Sequence, residues 1–163
     1  MKTTVGVYDT KDEIIDAIST LKENGFPPKQ ISVLGQVSIE DSDIQADEKL
    51  INKAGKRVGI SALFGSTIGI LSGVGVFTIP GLGFIFGAGA LMGAIAGSDI
   101  GLIGGGLISG LSLANIHGDI AEKYEDKIRE GKFLLIAQGS EDELKKAHDV
   151  IDKHGKHLEV GTH

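Results

Sequence analysis

The chain has no cysteine and no tryptophan, only three prolines and two tyrosines, and aromatic residues make up 5% of it. Without cysteine there is no disulfide framework, no thiolate nucleophile and no thiolate metal site. Few aromatics leave any membrane span without the usual interfacial belt. Positive charge is short as well: the net charge is -6 and the pI about 5.3. That excludes nucleic acid as an expected partner, because phosphate binding needs a basic patch to displace counterions. The densest basic group, Lys53, Lys56 and Arg57, is too small for that role. Met1 to Asp9 holds one lysine and no apolar run of signal-peptide length, so export by cleavage is not expected. At 163 residues the chain fits one compact domain with an insertion.

What the chain does have is an almost uncharged apolar block. Val58 to Gly118 spans 61 residues with one charged side chain, Asp99, and holds 17 of the 25 glycines. Gly65, Gly69 and Gly73 recur every fourth residue, as do Gly89, Gly93, Gly97, Gly101 and Gly105. On helices this spacing lines each set along one face and allows backbone-to-backbone packing, within a hairpin or between chains. Thr78-Ile79-Pro80-Gly81-Leu82-Gly83 supplies a turn, with Pro80, Gly81 and Gly83 reversing the chain. Val58 to Phe77 is 20 residues, about 30 Å as a helix, which matches a hydrocarbon core. Leu82 to Ser98 is the expected return arm. A carboxylate at mid-bilayer costs about 2.5–3.5 kcal/mol, so Asp99 marks the cytoplasmic boundary in this reading. Gly104 to Gly106 then permits a bend, and Leu107 to Ile116 lies along the membrane or packs on the rest of the protein.

The flanks read differently. Thr4 to Tyr8 alternates as a strand, Asp9 to Asn24 is helical with Ile14, Ala17, Ile18 and Leu21 on one side, and Ile31 to Leu34 is a second strand. Thr10 with Glu13 forms a capping box. After the block, Asp119 to Arg129 is a charged helix, Phe133 to Ala137 a strand, Glu141 to Lys153 a helix and Leu158 to Val160 a last strand. Ser140 with Glu143 repeats the capping box. Tyr8 to Ile14 aligns with Gln138 to Leu144 at an offset of 130, and Gly155 matches Gly25. Two βαβ halves are the parts of a ferredoxin-like α+β sandwich, four antiparallel strands with two helices on one face. The expected organisation is therefore a first half over 1–36, an acidic linker and helix start over 37–57, a glycine-rich hydrophobic helical hairpin over 58–118, and the second half over 119–163. Because both halves join one sheet, membrane crossings must be even in number.

Motifs for chemistry are weak. Gly81-Leu82-Gly83 lacks the third glycine of a dinucleotide fingerprint, and no phosphate loop occurs. Asp41, Asp43 and Asp47 resemble a calcium loop, but Ala46 stands where glycine is needed and Asn52 where the bidentate glutamate belongs. His148, His154 and His157 could converge as a metal site, though exposed histidines near a chain end are usually solvated surface. His117 reads as a boundary residue. No catalytic set, cofactor, metal or small-molecule ligand is expected.

The chain resembles the bacterial general stress protein family, in which a βαβ segment precedes a glycine-rich hydrophobic hairpin. The resemblance lies in Val5 to Leu34, in Ile79 to Gly83 with the glycines after it, and in Ala121 to Glu125, Ile128 to Gly131 and Leu134 to Ile136. It implies a non-enzymatic role in stress adaptation, with membrane association. Asp99 departs from the pattern. The leading expectation is self-association through the glycine stripe, with the hairpin in or on the cytoplasmic membrane and the sandwich facing the cytoplasm. The alternatives are a cytoplasmic self-assembling scaffold that buries the hairpins in protein, and a small-molecule sensor built on the sandwich.

Overall fold

A computed structural model describes residues 2–36, 74–79, 83–89, 91 and 106–163. Its elements are β1 (Lys2–Tyr8), α1 (Lys11–Glu23), a short 3-10 turn (Pro28–Gln30), β2 (Ile31–Gln36), β3 (Val74–Ile79), β4 (Gly83–Gly89), α2 (Gly106–Leu113), α3 (Gly118–Arg129), β5 (Phe133–Gly139), α4 (Glu141–His154) and β6 (Glu159–Thr162). The strands form one antiparallel sheet in the order β3-β4-β2-β5-β1-β6.

Local chemistry sets most of the boundaries. Thr10 and Ser140 each accept from the backbone N–H of the glutamate three residues on, and both capping boxes close. Helix ends are equally legible. After α1, the Phe26 N–H reaches the Leu21 carbonyl and the Gly25 N–H that of Lys22, with Gly25 at φ 82°. The same Schellman pattern closes α3 with Gly131 at φ 83° and α2 with Asn115 at φ 63°. Asparagine tolerates the left-handed region better than most side chains.

Alternation along the strands divides the core in two. Val5, Val7, Leu34, Leu134 and Ile136 pack against Leu107, Leu111, Ala114 and Ile116 of the α2 region and Ala121, Tyr124 and Ile128 of α3. Ile31, Val33, Leu135 and Ala137 pack with Tyr8 against Ile14, Ala17, Ile18 and Leu21 of α1 and Leu144, Ala147 and Ile151 of α4. The chain is thus mixed α+β with helices on both faces, where two helices on a single face were expected. The unbroken apolar run Leu134 to Ala137 is the physical reason: a strand buried on both sides does not alternate. Of the two expectations for Leu107 to Ile116, packing on the protein is the one observed.

The apolar block departs most from expectation. Val74 to Ile79 and Gly83 to Gly89 pair with each other, Ile79 opposite Gly83 and Val74 opposite Ala88, and β4 then pairs with β2. The helical hairpin expected over 58–118 is therefore corrected at these residues, which form a β-hairpin joined by residues 80–82. Val58 to Phe77 is not one continuous helix, nor is Leu82 to Ser98. Glycine is a poor helix former, whereas Val74, Val76, Phe77, Thr78, Ile79, Phe84, Ile85 and Phe86 are β-branched or aromatic and suit a pleated surface. Among the described residues no helix is long and apolar enough to cross a membrane.

Candidate functional site

The glycine stripe is only partly placed. Gly89 lies at the end of β4 opposite Ser32, not on a helix. Its φ is 106°, and a Cβ there would stand 2.1 Å from the Ile31 carbonyl oxygen. Gly83 opens β4 opposite Ile79. Pro80 and Gly81 fall in the connection between the two strands, outside the described residues. Gly65, Gly69, Gly73, Gly93, Gly97, Gly101, Gly105 and Asp99 also lie outside them. So do the Asp41, Asp43 and Asp47 cluster and Lys53, Lys56 and Arg57.

Polar side chains gather instead at the β6 end of the sheet. On the α4 side an open cleft of about 310 Å³ is lined by Lys2, Glu141, Leu144, Lys145, His148, Asp149 and Thr162. The Lys2 ammonium lies 3.1 Å from the Glu141 carboxylate, and its hydrogen bond and charge hold that carboxyl below its ordinary value. Thr162 and Thr4 share a hydroxyl hydrogen bond of 3.0 Å across β6 and β1. On the α3 side Tyr124 and His163 share a hydrogen bond of 2.8 Å, with their rings edge to face. Burial, and then the Glu159 charge, pushes the Tyr124 hydroxyl up to about 12. Burial and the Lys123 charge push the His163 imidazole down. Lys123 is itself ion-paired to Glu159.

These groups are committed to one another. Tyr124 holds His163, Lys123 holds Glu159, and Lys2 holds Glu141. The three histidines read as a possible metal site are separated in role: His148 lines the cleft, His154 is 3.9 Å from Asp16, and His157 is 3.7 Å from Asp152. Among the described residues no group of three ligands that could hold a metal occurs. At the other end of β1 the buried Tyr8 hydroxyl has no hydrogen-bond partner among the described residues, and burial raises its pKa strongly.

Sequence reasoning missed the β6 end because its members are remote in sequence: Tyr124 and His163 meet only once α3 covers the sheet. It also missed the β-hairpin, whose signal was present in the three-residue connection between a β-branched run, Val74 to Ile79, and an aromatic one, Phe84 to Phe86.

Residues 3–78 match the family model described as heat induced stress protein YflT domain. This supports the resemblance to a bacterial general stress protein family. No curated protein and no solved structure matches the chain.

Proposed function

We infer, from a heat induced stress protein domain at residues 3–78, that this bacterial general stress protein works by association rather than by catalysis. The domain match is the observation that carries the stress-response role. Self-association is supported by the four-residue glycine spacing of Gly65 to Gly73 and of Gly93 to Gly105 in the sequence. A ferredoxin-like frame is supported by the order β2-β5-β1-β6 of the strands from the two repeated halves, with α1 and α4 on one face. On that reading the β3–β4 hairpin and the α2 region are additions to the frame.

One observation favours a protein-shielded assembly over a two-span hairpin in lipid. Two parts of the apolar block are engaged by the chain's own sheet: β4 pairs with β2, and Leu107, Leu111, Ala114 and Ile116 are buried against the sheet. We therefore propose a homo-oligomer at the cytoplasmic side in which protein covers the apolar surface.

The test is a heat challenge of a strain lacking the gene, complemented with the wild type or with Gly93→Leu. Extracts are fractionated by lipid flotation and size exclusion in parallel. Wild type is expected to restore survival and to run as large lipid-free oligomers, and Gly93→Leu to lose survival and the large oligomers. Survival independent of the gene would overturn the stress role. Carbonate-resistant flotation would overturn the protein-shielded assembly, and an unchanged oligomer in Gly93→Leu would overturn the glycine contact.

A further inference from the structure

We propose that the β6 edge of the sheet is a pairing surface for a second copy of this chain, which adds its own β6 antiparallel about Gly161. Its residues, 159–163, are distinct in sequence from the glycine-rich segment.

The phase of β6 follows from its hydrogen bonds. The N–H of Thr3 donates to the carbonyl of His163 at 2.8 Å, and the N–H of His163 to the carbonyl of Thr3 at 2.7 Å. His163 therefore turns its main-chain groups toward β1. By alternation along the register Thr4 with Thr162, Val5 with Gly161 and Gly6 with Val160, Gly161 does the same. Val160 and Thr162 turn theirs outward, away from β1. A strand edge of this kind is a template for another strand, and natural sheets guard such edges by keeping the strand short, with charge or proline, or with a covering element. β6 is short and has one charged residue, Glu159, but residues 159–163 contain neither proline nor lysine.

The repeat within the chain offers a parallel at the other half. β2 and β6 each follow the helix of a βαβ half, and each lies at the outside of the four strands those halves contribute. Along β2, Ser32 to Gln36 is paired with Gly89 to Ile85 of β4. Among the described residues β6 has no corresponding cover, since the sheet ends there.

One two-fold register pairs the outward groups of both Val160 and Thr162. Centred on Gly161, a two-fold pair sets Val160 against the partner's Thr162 and Thr162 against the partner's Val160. Two glycines then meet at the non-hydrogen-bonded position, where antiparallel backbones come closest. On the α3 face the register sets the Glu159 carboxylate opposite the partner's His163. On the α4 face it brings the partner's Val160 beside Thr162, which lines the cleft with Leu144.

The experiment uses the full chain. The sequence has no native cysteine, so Val160→Cys/Thr162→Cys is expected to give a covalent dimer on mild oxidation, through bridges at hydrogen-bonded positions about 5.5 Å apart. Either single variant should cross-link far less. Thr162→Pro removes an outward N–H while sparing the β1 ladder. It is expected to abolish a sedimenting dimer that Thr162→Val retains. Both measurements are repeated with Gly93→Leu, in which the β6 dimer should persist whatever becomes of larger assemblies. No excess cross-linking in the double-cysteine chain, or equal sedimentation of the proline and valine variants, would overturn the proposal.

Discussion

Two glycines with positive φ show how far context changes the cost of a side chain. Gly25 has φ 82° and nothing within 4 Å of an added Cβ, so Gly25→Ala carries only the conformational penalty, about 1–2 kcal/mol. Gly89 has φ 106°, and its Cβ would meet the Ile31 carbonyl oxygen at 2.1 Å and the Ser32 Cα at 2.6 Å. Both are backbone atoms of β2 and cannot swing aside. Gly89→Ala should therefore destabilise by more than the roughly 1–3 kcal/mol of backbone strain alone, through loss of β2–β4 pairing. Urea unfolding of the two variants checks this; equal midpoints would show that β4 is not held as described. Gly25 was legible in the sequence as a helix stop. Gly89 was not, because a four-residue spacing records a helical possibility and says nothing about a neighbouring strand.

Among elements, α2 is the most informative, since its sequence is apolar enough to suit either lipid or a core. Leu107 and Leu111 are buried beside Val5, Val7 and Leu134, whereas Leu113 is 51% exposed. Leu111→Ala should cost about 2–5 kcal/mol, as expected for a large-to-small change in a packed core. Leu113→Ala should stay within about 0.5 kcal/mol. Thermal unfolding of both in detergent-free buffer tests the placement; a reversed order would mean that α2 does not dock on the sheet. The flanking elements were legible because their signals are local. Thr10 with Glu13 and Ser140 with Glu143 announce helix starts, and Gly25, Gly131 and Gly155 announce ends. The β3–β4 hairpin was obscured because the four-residue spacings of Gly65 to Gly73 before it and of Gly89 to Gly105 after it, with a Pro-Gly turn between, fit a helical hairpin, while the β-branched and aromatic residues of 74–79 and 83–89 carried the opposing preference.

At the scale of the molecule, the two halves are tied across their surfaces by ion pairs of long sequence separation: Lys156 with Asp16, Lys2 with Glu141, and Lys132 with Asp9. The Lys156 hydrogen bond and charge hold the Asp16 carboxyl below its ordinary 3.8. Lys2 does the same for Glu141, and the Ser140 backbone N–H and hydroxyl do so for Glu143, both below 4.5. For each, the folded chain binds the proton less tightly than the unfolded chain, so stability rises with pH through the window. The contribution is complete above the ordinary values and is lost as pH falls through the lower folded ones. His163 acts in the same sense but earlier: burial lowers its pKa from 6.5, so its contribution begins to fall below that pH. The chain should therefore lose stability in two stages on acidification. Asp16→Asn/Glu141→Gln/Glu143→Gln should flatten the lower stage alone, and His163→Gln the upper. Melting temperatures from about pH 7 to about pH 3 separate the two. High salt discriminates further, because it screens the exposed Lys156 and Lys2 pairs while leaving the Ser140 hydrogen bonds to Glu143 in place. An acid limb that vanished wholly in salt would assign it to the ion pairs between the halves and none of it to the capping box of α4.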